Sequence, residues 1–301
     1  MESVLHIALA LLFAPLLPGL INKVKAFFGA RRGPSIFQLY YDLFKLLRKG
    51  AVYSTSTSWI FRASPVVGLA CVGVALLLTP LLSVPAALRF NGDIFFFVYV
   101  LGLLRFFMVL AALDTASAFE GMGASREVLF SALAEIALLA GLAALAVLSH
   151  TMSLSSLMAA PWSQAITGYA AALLFIGVAF FLVLLAEAAR IPVDDPTTHL
   201  ELTMIHEAMI LDHGGVDLAF IEYTGAVKLW IMGALVVSVV MPWHTGGWQT
   251  DLILGIAGLA ALAVVVGVVE SSMARLKMLR VPQLLIVACI FATLAVGLSL
   301  R

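Results

Sequence analysis

Charge is scarce in this chain. Its 17 Lys and Arg and 17 Asp and Glu amount to 11% of 301 residues, against 63% hydrophobic residues and a mean hydropathy of +1.10. Soluble domains carry about a quarter charged residues, so that class is excluded and an integral membrane protein is implied. The formal net charge is zero, which leaves no basic excess for a nucleic acid. Cysteine is nearly missing as well. Cys71 and Cys289 both lie in apolar runs, so this chain can build neither a disulfide framework nor a CxxC metal or iron–sulfur site. Any redox centre then belongs to a partner. There is no Gly-rich phosphate loop, no HExxH and no Ser-His-Asp pattern, and no catalytic residue is assigned. The opening MESVLHIALALLFAPLLPGL lacks a basic n-region and a small-residue cleavage site, and reads as a retained span.

What the chain has instead is long apolar runs. A hydrocarbon core of roughly 30 Å takes about 20 helical residues. Eight runs suffice, at about 3–22, 65–88, 94–113, 127–149, 164–188, 218–241, 251–270 and 282–300. The expected fold is all-α: one membrane domain over 1–301, eight transmembrane helices, an amphipathic surface helix at 35–49 and a helical acidic loop at 187–222. With both termini outside, the inner segments collect 14 of the 17 bases, from Lys23 through Arg62 in the first loop to Arg275, Lys277 and Arg280 in the last. The positive-inside rule therefore points to termini facing the periplasm or its equivalent and a cytoplasmic acidic loop.

That loop is the chain's densest concentration of one charge. Glu187, Asp194, Asp195, Glu201, Glu207, Asp212, Asp217 and Glu222 face a single base, Arg190. Asp195 before Pro196 is a helix start, and a helix over 196–211 would put His199, Thr203, His206 and Glu207 on a polar face. Glu201 would project among Leu200, Met204, Ile205 and Ala208, away from bulk water, where desolvation favours its protonated form. His199 and His206, seven residues apart, would stand roughly 10 Å apart along the axis, too far to share a metal ion unaided. Within the spans, Arg105 lies near mid-depth and Glu135 roughly 12 Å from the cytoplasmic end of its helix. A charge in hydrocarbon costs several kcal/mol, so both must face protein or water. Asp114 and Glu120 sit in the connection between these two spans.

In the first inner loop, SIFQLYYDLFKLLRK puts Ile36, Leu39, Tyr40, Leu43, Phe44, Leu46 and Leu47 on one side and Gln38, Asp42, Lys45, Arg48 and Lys49 on the other. This amphipathic helix is expected on the cytoplasmic surface, either as a basic lipid anchor or as the roof of a lateral entrance or the dock of a peripheral subunit. The preceding GARRGP turn carries two arginines suited to clamping carboxylates.

Four segments, GARRGPSIFQLYYDLFKLLRKG, RFFMVLAALDTASAFEGMGASREVLF, AEAARIPVDDP and ESSMARLKMLRVP, carry a family resemblance. The chain resembles the membrane subunit shared by energy-converting nickel–iron hydrogenases and respiratory complex I, and within it the formate hydrogenlyase and hydrogenase-4 component C branch. DTASAFEGMGASRE and SMARLK are specific to the hydrogenase branch. The resemblance implies a junction between an electron-transfer arm and an ion-pumping membrane arm. Its partners would be hydrogenase-like large and small subunits, a ferredoxin-like subunit and antiporter-like membrane subunits, with iron–sulfur clusters and the nickel–iron centre held by those partners. It implies that Glu135 belongs to an acidic channel, and that Glu187, Arg190, Pro192, Asp194 and Glu201 line a cavity beneath the terminal cluster. Arg31, Arg32, Gly33, Pro34 and Asp42 correspond to the peripheral-arm contact, and Asp114 and Arg126 to polar positions at the same junction. This sequence departs from better-known members at Val193, Asp195, Thr197 and His199, where they carry further glutamates.

The ion-coupling residues expected on this reading are Glu135, Glu187, Glu201, Asp194, Asp195, Asp114, Arg105, His199 and Glu207, with Arg126 and Arg190 added to the peripheral-arm contact. Two alternatives stand beside it: a quinone-binding subunit of a complex I-like oxidoreductase, and an independent secondary ion transporter.

Overall fold

The computed structural model describes residues 2–159, 162–194, 204–241 and 245–300; Asp195, His199 and Glu201 lie outside them. Among the described residues the chain is helical, with one isolated bridge between Leu81 and Val84. Among the described residues seven helices are long and apolar enough to cross a membrane, or eight with a bent pair taken as one span.

The bent pair is α1 (Glu2–Phe13) and α2 (Leu16–Phe28), meeting at 46°. Pro15 makes the break, because it has no N–H and its ring clashes with the carbonyl four residues back. That carbonyl, on Leu11, accepts the Tyr223 hydroxyl at 2.8 Å, and the Leu12 carbonyl accepts the Tyr40 hydroxyl. The chain then doubles back along α2 into α3 (Gln38–Leu47). Glycines permit the close approach. A Cβ on Gly33 would lie 2.3 Å from the Ala26 Cβ, and one on Gly19 would lie 2.1 Å from the Ile36 carbonyl oxygen.

The second crossing, α4 (Trp59–Leu78), begins and ends earlier than its apolar run suggested. Ser58 caps it by accepting from the Ile60 N–H, and Pro80 stops it. The apolar residues that follow, Leu81, Leu82 and Val84, are buried in a loop packed on the helices. After α5 (Asp93–Asp114), α6 (Ala118–Ser149) is 32 residues long, about 48 Å at 1.5 Å per residue. It is longer than a hydrocarbon core of roughly 30 Å is thick, and its first turns carry Glu120 and Arg126. A short α7 (Leu154–Met158) and α8 (Trp162–Glu187), kinked at Tyr169, lead to the acidic loop.

In that loop the described helix is α9, only His206–Met209, and Leu211 lies in a turn. The expected helix therefore does not reach Leu211. The central element is α10 (Gly215–Val240), whose span is 83% buried and packs against α4, α8, α11 and α3. Encirclement explains how it tolerates Asp217, Glu222 and Lys228 in an apolar sequence. The last crossings are α11 (Trp248–Ser272) and α12 (Val281–Ser299). At the loops expected outside, carboxylates act as caps. Asp93 accepts from the Leu154 N–H at 2.6 Å and Asp251 from the Thr245 N–H at 2.9 Å.

Candidate ion-coupling site

A cavity of about 360 Å³ lies between α2, α3, α4, α5, α6, α9, α10 and the end of α8. Its mouth is bordered by Pro18, Gly19, Asn22, Gln38 and Asp42, and its inner wall holds Arg105, Glu127, Glu187, His206, Glu207 and Lys228.

Glu187 is the hub of the inner wall. It is the last residue of α8, where the helix dipole disfavours a negative charge, and it is 7% exposed. Two cations compensate. Arg105 on α5 ion-pairs with Oε1, and Lys228 Nζ on α10 lies 2.6 Å from Oε2. Arg105 uses its other terminal nitrogen on Glu135 of α6, at 2.8 Å. Four helices thus contribute one network with two positive and two negative side chains. The partner that Glu135 lacked on its own helix is Arg105.

A second group ties the loop down. Asp194 accepts from Arg275 Nη2 at 2.8 Å and from the His206 N–H at 3.0 Å, and His206 Nε2 lies 3.5 Å from Glu127. Burial works against both ionised forms here. The neighbours outweigh it: His206 and Arg275 hold Asp194 below the usual carboxylate range, and Glu127 and Asp194 raise His206 above the ordinary imidazole value. His206 thus stands between two carboxylates that favour its protonated form. Around it, Arg126 donates to the Met204 carbonyl at 2.8 Å, the Leu276 N–H to the Pro192 carbonyl at 3.0 Å, and Glu120 accepts the Asp212 N–H at 3.0 Å. In a third group, Glu270 sits 2.9 Å from Lys25 and 3.6 Å from Arg190.

Glu207 lines the cavity, and among the described residues it is in no salt bridge. Burial first, then the charges of Glu222 and Asp194, push its pKa up to about 7. Its infrared carboxyl band is therefore expected to vanish with a midpoint near pH 7. In Glu222→Gln the midpoint falls, because removing a neighbouring negative charge favours ionisation; an unchanged midpoint would mean that the two carboxylates do not interact.

The family model for NADH dehydrogenase matches residues 1–299. The chain belongs to the NADH dehydrogenase family. Hydrogenase-4 component C of Escherichia coli (strain K12) is 30% identical over 280 residues, covering 90% of this chain and 86% of the relative. Formate hydrogenlyase subunit 4 of the same organism is 30% identical over 295 residues, covering 94% and 92%. A chain in the structure of the membrane-bound sulfane sulfur reductase, an archaeal respiratory membrane complex, superposes with a TM-score of 0.80 over 98% of both chains at 21% identity, and shares the fold.

In this member of the NADH dehydrogenase family the expected residues divide. Glu135, Glu187 and Arg105 meet in one network, and Asp194 and Glu207 stand beside it. Asp114 is elsewhere: it accepts the Ser58 N–H at 2.6 Å at the start of α4. Arg31, Arg32 and Pro34 are exposed in the turn after α2. Asp42 and Arg190 lie at the cavity and beside Glu270 respectively. Gln38 Nε2 holds the two Asp42 oxygens at 3.0 and 3.1 Å at the cavity mouth, and Arg190 is buried beside Glu270. Gln38 and Asp42 therefore face inward, and α3 is not divided into one apolar and one solvated side.

Glu127, Lys228 and Glu222 were missed. Glu127 lies about two turns before Glu135 on the same helix, a spacing readable in sequence. Lys228 is buried within α10, and its isolation in an apolar run is the signal. Among the described residues no three His, Cys, Asp or Glu side chains are grouped as metal ligands would be.

Proposed function

We propose that this chain is the non-redox membrane anchor of an energy-converting hydrogenase-type complex. It couples electron transfer in a peripheral arm to proton or sodium translocation. The observation that carries the reading is the network Lys228, Glu187, Arg105, Glu135, which runs from the cavity wall to a carboxylate whose side chain keeps 30% exposure on the side of α6. Its two ends face different neighbours. The cavity end lies beneath the acidic loop, where hydrogenase-like large and small subunits and a ferredoxin-like subunit would dock with their iron–sulfur clusters and nickel–iron centre. The Glu135 end meets the antiporter-like membrane subunits.

Charge asymmetry supports an inner-membrane orientation with both termini external and the acidic loop cytoplasmic. Electron arrival in the arm would change the proton occupancy of Glu207 and of the Glu201 segment. Because unpaired charge at membrane depth costs several kcal/mol, such a change biases the pairing of Glu187 with its two cations.

Glu135→Gln and Glu201→Gln are each expected to abolish ion uptake by inverted vesicles in complexes that still assemble. Undiminished uptake in both variants overturns the reading. The quinone-binding alternative is distinguished by the electron acceptor: quinone reduction by purified membranes, sensitive to quinone-site inhibitors, would favour it. Transport by the isolated chain in liposomes would favour an independent transporter.

A further inference from the structure

The inner side of α3 borders the cavity through Gln38, Leu39 and Asp42, and its outer side has no role in the ion pairs described. That outer side is a stripe at helical spacing. Phe37, Tyr41 and Phe44 are 53%, 62% and 59% exposed, and the same row continues into Arg48. The Arg48 guanidinium lies 3.9 Å from the centre of the Phe44 ring. Lys45 and Lys49, both exposed, flank it one turn apart, while the helix's one carboxylate, Asp42, is turned inward to Gln38.

The stripe is graded along the helix axis as well as around it. Near its start, Tyr40 donates to the carbonyl of Leu12 inside the broken first span. Past its end, the carbonyl of Gly50 approaches Gly215, the first residue of α10, so closely that a Cβ there would lie 2.6 Å from the oxygen. The aromatic end therefore stands beside the middle of the broken first span, and the basic end beside the first residue of the central helix. An acidic protein surface would match the bases but would leave three large aromatic rings against polar groups. A phospholipid matches both, in order: acyl chains beside the rings and a phosphate at the bases.

We propose that the outer face of α3 binds an anionic phospholipid, with its phosphate held by Lys45, Arg48 and Lys49 and its chains against Phe37, Tyr41 and Phe44. Since Gln38, Leu39 and Asp42 belong to the same ten-residue helix, an occupied site also holds one wall of the cavity in place.

The test is native mass spectrometry of the full chain in detergent, titrated with phosphatidylglycerol or phosphatidylcholine. Wild type is expected to prefer phosphatidylglycerol. The triple variant Lys45→Gln, Arg48→Gln, Lys49→Gln loses that preference by roughly 100-fold, since bases at an anionic interface contribute nearly additively. Arg31→Gln with Arg32→Gln removes charge off the helix and keeps the preference, and an unchanged melting midpoint in detergent shows that each variant is folded. Equal binding of both lipids by wild type, a preference that survives the triple variant, or an equal loss in the Arg31 and Arg32 variant overturns the proposal. So does displacement of the lipid by excess inorganic phosphate. Loss of partner subunits from the purified complex of the triple variant, with lipid preference intact, would mark the face as a protein surface instead.

Discussion

Glu187→Gln is expected to stop ion translocation and to destabilise the chain by about 3–5 kcal/mol, the usual consequence of removing one partner from a buried ion pair. The reason is numerical as well as geometric. Glu187 and Glu135 balance Arg105 and Lys228, and without the Glu187 carboxylate Lys228 loses its nearest counter-ion, at 2.6 Å, in a helix that is almost wholly buried. A second substitution separates stability from coupling. Glu187→Gln with Lys228→Met returns the network to one cation and one anion, Arg105 and Glu135, which stay 2.8 Å apart. Most of the stability should return, because removing both members of a buried pair is often close to neutral. Translocation should not, since the link between the cavity and Glu135 is gone. Denaturation midpoints in detergent and ion uptake by inverted vesicles read the two quantities independently. If the double variant pumped normally, Glu187 would be a register-fixing residue and nothing more.

Gly19→Val is the second large effect, and it acts through shape. A Cβ at Gly19 would sit 2.1 Å from the Ile36 carbonyl oxygen and 2.9 Å from its carbon, both backbone atoms that cannot move aside as a flexible side chain does. The hairpin of α2 and α3 must open. Overpacking costs about 1–3 kcal/mol where side chains can adjust, and more where backbone must shift. With α3 displaced, Gln38 and Asp42 leave the cavity mouth and the Tyr40 bond to Leu12 is lost. Expected results are a lower unfolding midpoint and faster proteolysis in the segment 48–58. Gly73→Ala is the control, because nothing lies within 4 Å of a Cβ there and alanine is the better helix former by up to about 1 kcal/mol. Equal midpoints for Gly19→Val and wild type would show that the approach of α2 and α3 is not tight in the protein.

Much of the architecture was legible beforehand because the bilayer imposes a simple requirement on sequence. Every span must be a long apolar helix, since backbone groups in hydrocarbon must bond within their own segment. The runs from Asp93, Trp162, Gly215, Trp248 and Val281 are visible on that ground alone. Boundaries were less legible where apolar residues serve two purposes. Leu81, Leu82 and Val84 are as hydrophobic as any span but fill a loop between two spans, and only Pro80 marks the difference. The bend in the first span was present in sequence as Pro15, though what accepts its cost, the hydroxyls of Tyr223 and Tyr40, comes from elements 28 or more residues away.

The site divides along the same line. Composition and periodicity alone determined a membrane protein with charges at Arg105 and Glu135 that need partners, and an acidic loop joined to the spans by Glu187. Burying an ion is costly wherever it happens, so those positions stand out whatever the fold. Which charges pair was decided only by tertiary structure. Arg105 meets Glu187 and Glu135 from 82 and 30 residues away, Asp194 meets Arg275 from 81, and Asp42 turns inward to the cavity although helical phase alone placed it with the solvated bases. Coulomb attraction depends on distance in space and is blind to separation along the chain. The sequence marks where a buried charge must be answered, and the packing of the helices selects what answers it.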